Sequence, residues 1–172
     1  MRCCLDERKD VIRRILVGTF EWSNKDKLME TIEQIQDEII EDFSLFDDWM
    51  QKYEYIIELG KSLPLIEEEY KKDEFLIRGC QSRVWMRAER KGDRMFFKAD
   101  SDAIITKGLI ALLIKVLSGH TAQDIAQADL YFIDRIGLRE HLSPTRSNGL
   151  ASMIQQMKRS TTLVYSGKQE EN

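Results

Sequence analysis

Arg83-Val84-Trp85-Met86-Arg87-Ala88-Glu89-Arg90, the triplet Lys91-Gly92-Asp93 and Arg94-Met95-Phe96-Phe97-Lys98-Ala99-Asp100 follow one another without interruption and decide the fold class. Successive side chains of a strand point to opposite faces, so Val84, Met86 and Ala88 share one side of the first run while Arg83, Trp85, Arg87 and Glu89 take the other. Met95, Phe97 and Ala99 repeat the alternation in the second run, and Lys91-Gly92-Asp93 supplies the turn. A β-hairpin with one apolar face is the expectation.

Outward from the hairpin the period becomes helical. Upstream, from Thr31 to Gly60, Ile32, Ile35, Ile39 and Phe43 recur at three- and four-residue steps, followed by Phe46, Trp49, Met50, Tyr53, Ile56 and Ile57. Gly60 and Pro64 are expected to stop that helical stretch. The acidic connector Glu67-Glu68-Glu69-Tyr70-Lys71-Lys72-Asp73-Glu74 reads as a solvated surface loop. Downstream, Ser101 or Asp102 is expected to cap a helix whose Ile104, Ile105, Leu109, Leu112, Leu113, Val116 and Leu117 cover most of its circumference, a central helix packed across the hairpin. Gly119 should end it, Thr121 with Asp124 resembles a capping box, and Ser143-Pro144 opens a last helix with the apolar stripe Leu150, Met153, Ile154 and Met157. The expected class is α+β: a small antiparallel β-sheet with a hairpin, covered on one face by helices, without internal repeats. The expected organisation is an N-terminal extension over residues 1–28, one domain over 29–165 and a disordered tail over 166–172.

Composition excludes several functions. The chain has 172 residues, 42% of them apolar and 33% charged, with a net charge of −4; this suits one domain with a real core and leaves no basic stripe for nucleic acid. The apolar run from Ile104 to Leu117 is broken by Thr106, Lys107 and Lys115 and is too short to span a bilayer. Charged residues from Asp6 to Asp10 stand where the apolar region of a secretory signal would begin, so a cytoplasmic protein is expected. Three cysteines without a C-x-x-C pair offer neither a disulfide framework nor four zinc ligands. The adjacent Asp47 and Asp48 diverge by about 100° on a helix and are poorly placed to share an ion.

What remains is Cys80, in Arg78-Gly79-Cys80-Gln81-Ser82-Arg83 at the junction of loop and strand. Gly79 permits a sharp turn before the sulfur, and a thiol with a pKa of roughly 8.5 becomes a better nucleophile when cations or helix amino termini lie near it. Arg78 and Arg83 are the local cations, although only a bend at Gly79 brings both toward the sulfur. A buried, inert cysteine is the alternative. A Cys-His hydrolase would require His120 or His141 beside the thiol; a surface position for His120 in a helix–helix turn, and a hydrogen bond from His141 to its own loop, are the competing readings.

Four segments then align with a known pattern: Tyr55-Ile56-Ile57-Glu58-Leu59-Gly60 with Leu63-Pro64; Gly79-Cys80-Gln81-Ser82 with Val84-Trp85; Ser101-Asp102 with Lys107-Gly108-Leu109-Ile110; and His141-Leu142-Ser143-Pro144 with Arg146-Ser147 and Gly149-Leu150. In this order, between about Thr31 and Leu163, they resemble the SufE family of sulfur-acceptor proteins. The resemblance implies a SufE/IscU-like fold and a partner of a pyridoxal-phosphate cysteine desulfurase of the SufS type. Cys80 would take the outer sulfur of the desulfurase persulfide, stimulate that enzyme and pass the sulfur to an iron–sulfur scaffold of the SufBCD kind. No cofactor is then expected on this chain, since the pyridoxal phosphate belongs to the desulfurase, and a monomer or weak dimer is expected.

The same resemblance places Arg146 near the cysteine loop, where its cation and the helix amino terminus would favour a thiolate, with a surface ion pair as the alternative. It places Asp102 beside the loop as a tether, with helix capping as the competing role, and Gly79 and Gln81 flank the thiol in the shared motif. A persulfide needs shelter, so Cys80 should tuck against an apolar surface made by the hairpin and the central helix, with Trp85 either lining that pocket or buried in the core. Residues 1–28 exceed the family pattern: either the chain starts physiologically at Met29, or Cys3 and Cys4 form a second thiol pair. A non-covalent regulator of the desulfurase and, less favoured, a Cys-His hydrolase are the alternative functions.

Overall fold

The alternating stretch forms the expected hairpin. The computed structural model describes residues 30–167. Its strands β1 (Val84–Lys91) and β2 (Arg94–Ser101) pair antiparallel from Val84 opposite Ser101 to Lys91 opposite Arg94. Gly92 takes a φ of 65° in the two-residue turn, a left-handed geometry that glycine adopts without a Cβ clash. A third strand, β3 (His120–Thr121), pairs with Arg94 and Met95, giving the order β1-β2-β3. Two residues are too few to show an alternation, which is why the sequence reads them as a helix–helix turn. His120 is correspondingly not at the surface but buried, 4% exposed.

The helices are α1 (Ile32–Ser44), α2 (Trp49–Lys61), α3 (Ile104–Leu117), α4 (Ala122–Gln127), α5 (Phe132–Arg135), α6 (Leu138–His141) and α7 (Pro144–Gly167), with 3-10 turns at Glu68–Tyr70 and Asp73–Phe75. Val84, Met86, Met95, Phe97 and Ala99 form the apolar face of the hairpin, and α3 packs across it, buried nearly throughout from Gly108 to Leu117. Its first residue departs from this pattern, for Ile104 is 65% exposed. The small antiparallel sheet with helices packed on it is an α+β fold.

The helical stretch from Thr31 to Gly60 is two helices rather than one. Thr31 and Gln34 make a reciprocal capping box at the start of α1, and Asp48 caps α2 by accepting the Gln51 N–H at 2.9 Å. The apolar period runs through the break because Phe46 turns back onto Phe43 and Tyr55, with ring centroids 6.4 and 5.2 Å away. Met50, assigned to the stripe, is 69% exposed. Gly60 does not stop α2; it lies inside it, where a Cβ would fall 2.9 Å from the Gly108 nitrogen. A Cβ on Gly108 would fall 2.2 Å from the Ile56 carbonyl oxygen. The two glycines let α2 and α3 approach backbone to backbone.

The acidic connector is a strap rather than a free loop. Ala99 donates its N–H to Pro64 O at 3.0 Å and accepts from Ile66 N at 3.2 Å, while Ile77 N–H reaches Val84 O at 2.8 Å. Between these anchors Glu67 pairs with Lys98, Lys71 with Asp100 at 2.7 Å, and the Arg87 guanidinium lies 4.0 Å from the Tyr70 ring centroid. The hairpin side chains in these pairs belong to the face opposite the core. Thr121 caps α4 as expected, and α7 continues to Gly167, so Ser166 lies in its last turn. Residues 1–29, with Cys3 and Cys4, and residues 168–172 lie outside the described residues. Among the described residues no helix is long and apolar enough to cross a membrane.

Candidate functional site

Cys80 sits on the short loop that enters β1. Gly79 before it has a φ of 92°, and a Cβ there would fall 2.5 Å from Ser152 Oγ, so the loop requires glycine for both conformation and space. The turn lays the thiol against α7, where Sγ donates to the Gly149 carbonyl oxygen at 3.5 Å. Cys80 is half-buried and packs on the core. A cleft of about 380 Å³ opens beside it, lined by Gln81 and Ser82 of the loop, Ile104, Ile105 and Leu109 of α3, and Arg146, Gly149 and Met153 of α7. The wall of the seat is therefore α3 with α7, not α3 with the hairpin as expected.

Asp102 tethers the loop. Its Oδ1 accepts the Arg83 N–H at 3.0 Å, and Ser101 Oγ donates to Arg83 O at 2.8 Å. The helix-capping role expected for these residues is not what they do, because the N-cap of α3 is Ala103, with no side-chain cap. The physical reason is register: β2 ends with Ser101 opposite Val84, so both side chains meet the backbone at Arg83 before the helix begins. Ser82 adds a 3.4 Å contact with Thr106 Oγ1.

Arg146 lies in the first turn of α7, capped by Ser143, and its exposed side chain borders the cleft. Gln81 borders it too. Trp85 does not: Val84 takes the inward face of β1, and Trp85 takes the other, where its backbone bridges to Leu76 beneath the strap. Burial pushes the Cys80 thiol up from its ordinary pKa, with no cation acting against it. Burial therefore favours the neutral thiol in this seat.

Neither histidine borders the cleft. The His141 ring stacks on Trp49 with centroids 3.8 Å apart, and its Nδ1 is 2.9 Å from Gly137 O. His120 pairs with Met95, six strand positions from Ser101 and hence roughly 20 Å from the Cys80 end of the sheet. The imidazole–thiol pair of a Cys-His hydrolase is not assembled. Asp48 serves as a helix cap, and among the described residues no three His, Cys, Asp or Glu side chains group into a metal site. Sequence reasoning does not mark Gly149 and Ile104 as site residues; a glycine inside an apolar helical stripe is the available signal for the first.

The model of the SufE family, described as an Fe-S metabolism associated domain, matches residues 37–161. The chain belongs to the SufE family. A SufE-like protein of Rhizobium etli is 45% identical over 127 residues, covering 71% of this chain and 86% of that protein. One from Rhizobium meliloti is 42% identical over 127 residues, 71% of this chain and 91% of the relative. SufE-like protein 1, chloroplastic/mitochondrial, of Arabidopsis thaliana is 35% identical over 147 residues, 83% of this chain and 40% of the plant protein. Among solved structures, a hypothetical protein from Thermus thermophilus superposes with a TM-score of 0.65 over 77% of this chain and 96% of its own, at 16% identity, a likeness of fold. SufE membership places the chain in iron–sulfur metabolism.

Proposed function

We propose that this SufE-family protein accepts sulfur on Cys80 from the persulfide of a SufS-type cysteine desulfurase, stimulating that enzyme, and passes the sulfur to an iron–sulfur scaffold of the SufBCD type. The observation that carries this reading is the thiol itself: half-buried at the edge of a cleft, on a loop turned by Gly79, with no imidazole or metal-ligand cluster beside it among the described residues.

The chemistry is thiol exchange. The Cys80 thiolate attacks the outer sulfur of the donor R–S–SH; a new S–S bond forms at Cys80, the donor S–S bond breaks, and its electron pair leaves on R–S⁻. The products are Cys80–S–SH and the donor thiolate, so no external oxidant or reductant is consumed. Delivery to the scaffold repeats the step with Cys80 as the leaving thiolate. The step needs no metal or organic cofactor on this chain, the pyridoxal phosphate being the desulfurase's own.

Burial that favours the neutral thiol keeps the unloaded Cys80 unreactive until a donor docks. Docking then has to lift the loop from α7, exposing the sulfur and lowering its pKa. The test is desulfurase turnover with wild-type protein and with Cys80→Ser. Stimulation present with the first and absent with the second is expected; stimulation that survives the substitution contradicts the carrier and favours a non-covalent regulator.

A further inference from the structure

We infer that Gly149 reserves the space for the outer sulfur of a loaded Cys80, making it a positioning residue for the persulfide; this rests on the carrier reading above. The helical glycines are informative by contrast. Gly60 and Gly108 are forced, because a Cβ on either would run into backbone at 2.9 or 2.2 Å. Gly149 is not. It lies within a helix of 24 residues, where alanine is the better helix former, and a Cβ there would stand 3.5 Å from Cys80 Sγ, 3.8 Å from its Cα and 3.9 Å from its Cβ. Those are ordinary contacts, so the reduced protein has room for alanine.

A persulfide changes the geometry at one atom. Its outer sulfur extends about 2.05 Å from Sγ, and Sγ faces Gly149 across the hydrogen bond to that residue's carbonyl. A Cβ already in contact with Sγ occupies the volume that the added sulfur needs on that side. With glycine, the loaded side chain keeps its place between α3 and α7, and the outer sulfur lies against the helix backbone instead of in solvent. Alanine at 149 leaves the thiol seated and turns the outer sulfur toward water.

The test compares wild type with Gly149→Ala, both carrying Cys3→Ser and Cys4→Ser so that the rates report Cys80, which is loaded with inorganic polysulfide so that no desulfurase is involved. Two rates are read: alkylation of the reduced thiol by iodoacetamide, and release of sulfide from the loaded protein by dithiothreitol. The inference predicts alkylation unchanged within about twofold and sulfide release about tenfold faster in the variant, with a melting temperature no lower than that of wild type. Equal release rates overturn it, as does a parallel rise in both rates, which makes Gly149 a seat for the thiol alone. A wild-type protein that retains no persulfide also overturns it. If polysulfide loads Cys80 but a SufS-type desulfurase does not, the carrier reading fails while the space reserved at Gly149 stands.

Discussion

At the scale of single residues, two buried titratable groups carry opposite consequences. The Cys80 thiol is raised by burial alone, so its iodoacetamide rate plotted against pH has a midpoint higher in the folded protein than in urea, and coincident midpoints contradict the seated thiol. Because its folded pKa is raised, the stability it contributes is present below the unfolded value and lost as pH climbs through the folded one. Lys115 behaves the other way. It is 7% exposed, makes no hydrogen bond, and has Asp42 Oδ2 3.8 Å away; burial pushes its pKa down against the pull of Asp42, Glu38 and Glu30. A lysine depressed on folding destabilises the fold while charged, and the penalty is relieved as pH rises toward its unfolded value. Lys115→Met removes this titration while Asp42 keeps the Tyr55 hydroxyl at 2.9 Å, so its stability relative to wild type is expected to be most favourable at neutral pH and below. That advantage should shrink as pH approaches 10, measured by denaturant midpoints. Cys80 was legible in the sequence because it interrupts a loop–strand junction between Gly79 and Gln81. Its contact with Gly149 was not, since the partners are 69 residues apart.

At the scale of elements, the crossing of α2 and α3 is the tightest fit. Gly108→Ala drives a Cβ into the Ile56 carbonyl at 2.2 Å, and the helices must separate to admit it. The expected cost is about 3 kcal/mol, read as a lower denaturant midpoint without loss of helical signal; an unchanged midpoint refutes the close approach. Strand and helix periods revealed the hairpin, the central helix and the caps at Thr121 and Ser143. They failed where a local rule met a tertiary contact. Gly60 reads as a helix stop but serves the crossing, Asp102 reads as a cap but ties Arg83, and Phe46 masks a break between α1 and α2 by packing across it.

At the scale of the whole molecule, three segments distant in sequence assemble the site. The strap fixes the outer face of the hairpin, which sets where β1 begins; Ser101 and Asp102 then pin the loop at Arg83; and α7 supplies the surface on which the sulfur rests. The fold class was readable because alternation and helical stripes are local. The cleft was not, because α3 and α7 meet the loop only after the chain has folded; the sequence left Trp85 open between pocket and core, while Ile104 and Met153 line the cleft.

The decisive measurement is the intact mass of the purified protein after incubation with a SufS-type desulfurase and free cysteine, with and without reductant, for wild type and Cys80→Ser. A reductant-sensitive gain of sulfur in the wild type that is absent from the variant is predicted. An unchanged wild-type mass while the desulfurase turns over, or equal sulfur on the variant, contradicts Cys80 as the acceptor.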